Sequence, residues 1–360
     1  MEHSRLDSLR LIRSAQIGPI TYRQLIARFG SATAALAAIP DLAARGGGRP
    51  PRLAEPALIL REVERTQSLG ATYVFIGEPD YPALLAEMET APPALIYSGD
   101  LSLAKRRCVG MVGARNASAA ACRFARMLGQ GLAAEGVTVV SGLARGIDTA
   151  AHQGSIDGGT IGVIASGIDI AYPPENEALQ EQVAQRGLLL AEQPPGTQPL
   201  ARHFPSRNRI IAGLSVGTVV VEAAPKSGSL ITARLAGEAG RDVMAVPGSP
   251  LDPRAQGCNQ LIREGAILVQ SVADILEAIG PIHGSMFRQP SDPFTAAPPA
   301  DASDSDRRRI VDLLGPVPVP VDELIRQSGI APALVQTVLL ELELAGRAER
   351  HAGGRVSLRE

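Results

Sequence analysis

Between residues 71 and 280 the chain alternates short apolar runs with longer amphipathic stretches. The apolar runs are TYVFIG (72–77), CVGMVGA (108–114), VTVVSG (137–142), TIGVIASG (160–167), LLLAE (188–192), GTVVVEA (217–223), DVMAVPG (242–248) and AILVQ (266–270). They have strand length, and several end in glycine. The intervening segments predict helices over 117–135, 145–155, 175–186, 229–240 and 271–279. Strands apolar on both faces, alternating with helices, predict an α/β fold with a parallel sheet covered on both sides.

The flanks read differently. Residues 1–70 predict short helices, with Leu6, Leu9 and Ile12 on one face, a break at QIGPI (16–20), and Gly30-Ser31 as a helix stop followed by an N-cap. This segment holds ten arginines and six acids. It reads either as a helical packing module or as a hairpin offering backbone N–H groups to phosphate. Residues 281–306 are rich in Pro, Ala, Ser and Asp and predict a linker. Residues 307–360 predict three helices and a hairpin turning at a Gly-Gly pair, the winged-helix pattern. The expected domains are therefore 1–70, 71–280 and 307–360, with the linker between the last two.

Composition narrows the function. The 360 residues carry 45% apolar residues, which supports a sizeable core. Net charge is −2, which excludes a uniformly basic nucleic-acid binder but not a local basic patch. Tryptophan is absent and aromatic residues make up 3%, so stacking alone is a poor basis for gripping a single strand. Cys108, Cys122 and Cys258 are widely spaced, which predicts neither a disulfide framework nor a metal site. The charged N-terminus and the lack of a long apolar stretch predict a soluble, cytoplasmic protein with no membrane insertion.

Ligands of open parallel sheets bind beyond the carboxyl ends of the strands, so the glycine-rich strand ends are the places to search. GMVGARNAS (110–118) is neither a dinucleotide fingerprint nor a phosphate-binding P-loop, and no P-loop motif occurs elsewhere. Gly113 allows close backbone approach, and Arg115 lies at the rim beside a helix N-terminus, a combination suited to phosphate. In SGLARGIDTAAH (141–152), Gly142 and Gly146 predict an anion-binding turn. Asp148 and His152 there read as an acid–base pair or, more simply, as a dipole-favoured acid bonded to the histidine.

The run ARHFPSRNRIIAGLS (201–215) places Arg202, Arg207 and Arg209 around Phe204 and Asn208, and no acid occurs from Gln193 to Val221. That pattern suits phosphate neutralisation with one stacking ring. In VVVEAAPKSGSLITARLA (219–236), Lys226, Ser227, Gly228 and Ser229 open a helix and predict a second anion site. Glu222 reads as either a catalytic carboxylate or a holder of an arginine. Lys105, Arg106, Arg107, Arg115, Arg123 and Arg126 form an acid-free basic sector over 101–134.

Taken in order, VGARNAS, SGLARGIDTAAHQGSIDGGTIGVIASGIDIAYPPEN, FPSRNRIIAGLS, VVEAAPKSGSLITARLA and DVMAVPGSP…GCNQLIREGA resemble the DNA-processing protein A (DprA/Smf) family across residues 71–280. The resemblance implies an extended Rossmann-like core, flanked by an N-terminal SAM or helix-hairpin-helix-like module and a winged-helix-like module. It implies a protein that binds and protects incoming single-stranded DNA and helps load the RecA recombinase in transformation or recombination. It further implies no enzyme activity, no cofactor, and a homodimer formed through about 250–275. Carried over by motif, DNA contacts would come from Gly113, Ala114, Arg115, Gly142, Gly146, Phe204, Arg207, Asn208, Arg209, Lys226, Ser227, Gly228 and Ser229.

Two rival readings stay open on the same core. One is a phosphoribohydrolase-like enzyme using Glu222, although its PGGxGT pattern is missing. The other is a nucleotide-sensing regulator whose winged module reads DNA. Residues 310–360 carry seven acids and five basic residues, with Glu341 and Glu343 on the candidate recognition helix. This predicts a protein-contacting or regulatory role for that module.

Overall fold

The computed structural model describes residues 1–280, 301–351 and 353–359. Most of the expected linker, 281–300, lies outside the described residues. Two compact units emerge. One gathers residues from Met1 to Leu60 with the C-terminal module, and the other begins at Arg61.

In the first unit, α1 (His3–Arg13), α2 (Pro19–Phe29) and α3 (Ala32–Arg45) are followed by α4 (Pro56–Ser68), which crosses the division. Pro19 opens α2, Gly30 ends it with φ 75°, and the Ser31 side chain caps α3. The division falls inside α4 for a physical reason. Its C-terminal half bonds forward into the sheet domain, with Tyr73 Oη donating to Glu62 at 2.8 Å and lying 3.1 Å from Thr66 Oγ1.

The second unit is built on a nine-stranded sheet. Chain order gives β1 (Thr72–Phe75), α5 (Ala83–Ala86), β2 (Ala94–Gly99), β3 (Cys108–Val112), α6 (Ala119–Ala134), β4 (Thr138–Ser141), α7 (Ile147–Ser155) and β5 (Thr160–Gly167). There follow α8 (Glu177–Arg186), β6 (Leu188–Gln193), α9 (His203–Leu214), β7 (Gly217–Val220), α10 (Gly228–Glu238), β8 (Asp242–Ala245), α11 (Gln256–Arg263), β9 (Ile267–Leu268) and α12 (Val272–Ala278). The spatial order is β1-β2-β6-β5-β4-β3-β7-β8-β9.

From β6 to β9 all pairings are parallel, while β1 and β2 add an antiparallel hairpin to the edge. The sheet is therefore mixed rather than wholly parallel. The β2 strand, ALIYSG, is absent from the predicted runs: its outer half is polar, and pairing with β1 and β6 on either side defines it as a strand. Alternate residues feed opposite cores. Val112, Val140 and Val220 pack on one face, and Met111, Val139 and Val219 on the other. Close approach of α6 and α7 depends on Gly129, where a Cβ would lie 2.7 Å from the Ala151 carbonyl oxygen. The chain runs outward from β3 to β6 in one direction and from β7 to β9 in the other. The topological switch point thus lies between the C-terminal ends of β3 and β7, where ligands of such sheets bind.

The C-terminal module holds α13 (Asp304–Leu313), β10 (Val319–Pro320), α14 (Val321–Ser328), α15 (Pro332–Leu344), β11 (Ala348–His351) and β12 (Arg355–Leu358). Ser303 and Asp306 form a capping box for α13, so the last residues of the expected linker are helical. The two acids of the candidate recognition helix, Glu341 and Glu343, form no exposed acidic face. Both are buried, Glu341 at 0% exposure and Glu343 at 8%. Arg307 donates to both Glu341 oxygens at 2.8 and 3.0 Å, and Arg350 donates to Glu343 at 2.5 Å. Burial pushes the Glu343 carboxyl up, against the pull of Arg350.

One side of α15 packs in the winged core through Val335, Val338, Leu339 and Leu342. The other side meets the N-terminal helices. Thr21 donates to Glu343 at 3.3 Å, Gln24 bonds Gln336 at 3.2 Å, and a Cβ on Gly48 would sit 2.7 Å from that of Ala345. The helix that would enter a DNA groove is covered on both sides. No single helix among the described residues is long and apolar enough to cross a membrane.

Removing one partner of a buried ion pair leaves an uncompensated charge. Glu341→Ala should therefore lower stability by about 3–5 kcal/mol, and Arg307→Met/Glu341→Leu should recover most of it. Thermal melts of the two variants check this. Equal melting temperatures for Glu341→Ala and the parent would contradict it.

Candidate nucleic-acid interface

The segments that follow β3, β4 and β7 and residues of α7, α9 and α10 converge at the carboxyl edge of the sheet. Gly113, Ala114 and Arg115 follow β3 and form one wall. A Cβ at Gly113 would lie 2.5 Å from Ile147 Cγ1, so only glycine lets α7 pack under this turn. Gly146 opens α7 at φ 74°. The Arg115 side chain is exposed, and its guanidinium carbon sits 5.1 Å from the Phe204 ring centre.

The turn after β4 is where expectation and structure part. The Gly142 and Ala144 N–H groups donate to Asp148 Oδ2 at 3.2 and 3.3 Å. The anion held in this turn is thus the chain's own carboxylate. Asp148 and His152 are not bonded to one another as expected: His152 Nδ1 lies 2.7 Å from Thr160 Oγ1. Both are buried. Burial raises the Asp148 pKa, opposed by Arg207, and drives that of His152 down to about 3, aided by Arg207.

Arg207 also departs from a free phosphate contact. It is 6% exposed, and its Nη1 donates to the carbonyls of Gly142 and, at 2.8 Å, Val163. Burial lowers its pKa to about 10, with Asp148 opposing and Arg115 adding to the fall. It remains cationic at neutral pH and lies 5.9 Å from the Phe204 ring centre. Arg209 turns away to pair with Glu192 at 2.5 Å, with both side chains mostly buried. Asn208 donates to the Gly228 carbonyl at 3.2 Å, joining α9 to the start of α10.

At α10 the expected anion turn is open. Lys226 is exposed at φ 64°, Ser227 is the N-cap residue, and its hydroxyl lies 2.8 Å from that of Ser229. Neither Lys226 nor Arg115 forms an ion pair among the described residues. Glu222 does not hold an arginine side chain in an ion pair; its two oxygens accept the Ser118 N–H at 2.9 Å and the Ser118 hydroxyl at 2.8 Å. It thereby fixes the N-cap of α6 and the end of the Arg115 turn.

The basic sector over 101–134 is divided by the fold. Lys105, Arg106 and Arg107 precede β3 while Arg115 follows it, and five strand residues separate the two groups by about 17 Å. Lys105 pairs with Asp80 at 2.6 Å, and Arg106 donates to the Gly158 carbonyl at 3.2 Å.

Sequence reading overlooked Tyr172. Its ring lies 5.7 Å from that of Phe204 at 58°, and together with Arg115, Arg145 and Arg207 they line a cavity of about 220 Å³. The only sequence signal was the aromatic in DIAYPPEN. Its pairing with Phe204, 32 positions later, is set by the sheet order.

Comparison with known proteins identifies the family. The sequence model described as DNA recombination-mediator protein A matches residues 72–280. The chain belongs to that family. The family's other two domains are matched as well, a DprA-like N-terminal HHH domain over 2–64 and a DprA winged helix domain over 294–354. Protein Smf of Synechocystis is 35% identical over 333 residues, which is 82% of each chain. The DNA processing protein DprA of Streptococcus pneumoniae is 50% identical over 198 residues, 54% of this chain and 70% of that one. Its crystal structure superposes with a TM-score of 0.59 at 45% identity, over 62% of this chain and 78% of that one. The DNA processing protein A of Helicobacter pylori, whose single-stranded DNA binding mode has been described structurally, superposes with a TM-score of 0.53 at 27% identity. That match covers 57% of this chain and 94% of the other.

The His152 shift has a definite sign. Unfolded chain takes up a proton near pH 6.5, while the folded chain refuses it down to about 3. Stability is therefore lost as pH falls through that window, by up to about 1.4 kcal/mol per pH unit from this group. Urea midpoints at pH 7 and 5 should fall further for the parent than for His152→Gln. Equal losses would remove His152 as the cause.

Proposed function

We propose that the chain binds single-stranded DNA along the carboxyl edge of its sheet and acts as a recombination mediator, not as an enzyme. One observation carries the reading. Two exposed cations without ion-pair partners, Arg115 and Lys226, flank the switch point, and a Tyr172–Phe204 pair stands beside the first. Separated cations suit a phosphate backbone, and the ring pair suits an unpaired base, where each stack adds about 1–3 kcal/mol. Arg207, Asn208 and the Gly142 turn support the floor of this cleft. The relative from Helicobacter pylori supports the choice of ligand.

The glycosidase-like alternative needs a carboxylate free for chemistry, and both Glu222 oxygens are occupied by Ser118. The regulator alternative needs a free recognition helix, and α15 is covered. Within the proposed role the chain shields the strand and helps load RecA. It does so as a homodimer formed near 250–275. The two-residue edge strand β9 supports that position, with Ile267 and Leu268 38% and 42% exposed and Leu251 93% exposed.

Fluorescence anisotropy with labelled single-stranded and duplex oligonucleotides, across a salt series, tests the proposal. Single strands should bind more tightly. Arg115→Ala and Lys226→Ala should each weaken binding and reduce the salt slope by about 0.7. Arg207→Ala should instead lower the melting temperature, because it strands Asp148 and two carbonyls. Equal affinity for duplex, or full binding by both surface variants, would overturn the assignment.

A further inference from the structure

Two loops leave the carboxyl ends of the adjacent strands β5 and β6. The first carries Tyr172 and Pro173, and the second passes Pro199 and runs into Phe204. Both line the cavity beside Arg115. Among the described residues the Tyr172 hydroxyl has no hydrogen-bond partner, and Tyr172 is 43% exposed. Phe204 stands on the first turn of α9, so the gap between the rings depends on how the Tyr172 loop is held against the segment that leads into that helix.

The loops are joined at Asp169. Its Oδ1 accepts the Gly196 N–H at 2.7 Å, and its Oδ2 accepts Arg65 Nη2 at 2.6 Å. A second tie runs from the Gly167 N–H to the Thr197 carbonyl at 2.9 Å. The knot is tight: Gly196 has φ 83°, and a Cβ on Gly167 would lie 2.6 Å from the Pro194 carbonyl oxygen. The Asp169 side chain is 11% exposed and that of Arg65 is 56% exposed. Burial acts against the Asp169 charge, but the Gly196 N–H and Arg65 outweigh it and hold the carboxyl below its ordinary range. Arg65 comes from α4 and falls between the matched spans 2–64 and 72–280, so neither family match contains it.

We infer that Arg65 and Asp169 are positioning residues that set the gap between the Tyr172 and Phe204 rings, and through it the affinity for a single strand. This rests on the reading of that cleft as a single-strand site. An ordered wall binds without first losing loop entropy, whereas a loose one must be ordered by the ligand. Neither residue touches phosphate in this scheme, so loss of the clamp weakens binding without changing the number of phosphates neutralised.

The full chain has no tryptophan, so Tyr172→Trp places a lone indole reporter on the wall. In that background Arg65→Ala and Asp169→Ala should increase acrylamide quenching and lower indole anisotropy. In chains that keep Tyr172, single-strand Kd should rise about fivefold, the scale of one ion pair near the surface, with the salt slope unchanged. Arg65→Lys, which keeps the charge, should restore most of both signals. Unchanged indole mobility in a folded Arg65→Ala variant overturns the proposal. A salt slope reduced by about 0.7 also overturns it, because Arg65 would then be a phosphate contact itself. Should Asp169→Ala fail to fold, Arg65→Ala alone decides. If the unsubstituted chain binds no single strand at all, the single-strand reading fails, while indole mobility in the reporter chain still decides whether the clamp exists.

Discussion

The carboxyl edge of the sheet is organised around one buried cation. Arg207 enters from α9 and donates to the Gly142 carbonyl just beyond β4 and to the Val163 carbonyl within β5, while Asp148 from α7 faces it across Gly142. No side chain fits at Gly142, because the guanidinium and the carboxylate fill that space. The arrangement fixes three consecutive features: the turn after β4, the first turn of α7, and the start of α9 with Phe204. A buried charge is tolerable only when paired and hydrogen-bonded, so these elements are held in one geometry. The candidate interface rests on that floor.

Above the floor the electrostatics are uneven. Arg115 and Arg207 share the Phe204 ring, and Arg115 makes the Arg207 charge costlier. Asp148 compensates the Arg207 charge from below, and among the described residues Arg115 forms no ion pair at the surface. A phosphate at the rim would supply the missing anion. The net charge of −2 hides this, because other arginines are spent on internal pairs such as Arg209–Glu192, Arg307–Glu341 and Arg350–Glu343. Scarcity of aromatics likewise conceals a local concentration, since two of the eleven Phe and Tyr rings meet at one cavity.

The end modules show the limits of reading charge from sequence. Glu341 and Glu343 lie on a helix that is apolar almost all round, and a helix of that kind is buried rather than amphipathic. That signal was present and outweighed by the acid count. What no local pattern contains is the cover on its second side, where α15 meets helices some 300 positions earlier in the chain. Strand β2 was hidden for a related reason. A half-polar segment becomes a strand only when its neighbours complete the ladder.

Sequence alone determined the alternation of strands and helices, the glycine turns at the strand ends, the three modules and the family. The first three follow from short-range rules, namely burial on both faces, permitted φ at glycine, and helix capping, while the family follows from the identity and order of the motifs. Tertiary structure decided which charges are free and which are committed. Arg115 and Lys226 stay exposed, while Arg207, Arg209, Asp148 and Glu222 are turned inward to carbonyls, to one another's loops and to helix caps. It also brought Tyr172 to Phe204 and Arg65 to Asp169. Charge pairing and ring contact depend on separations of a few ångströms between residues far apart in the chain, and only the strand order sets those separations.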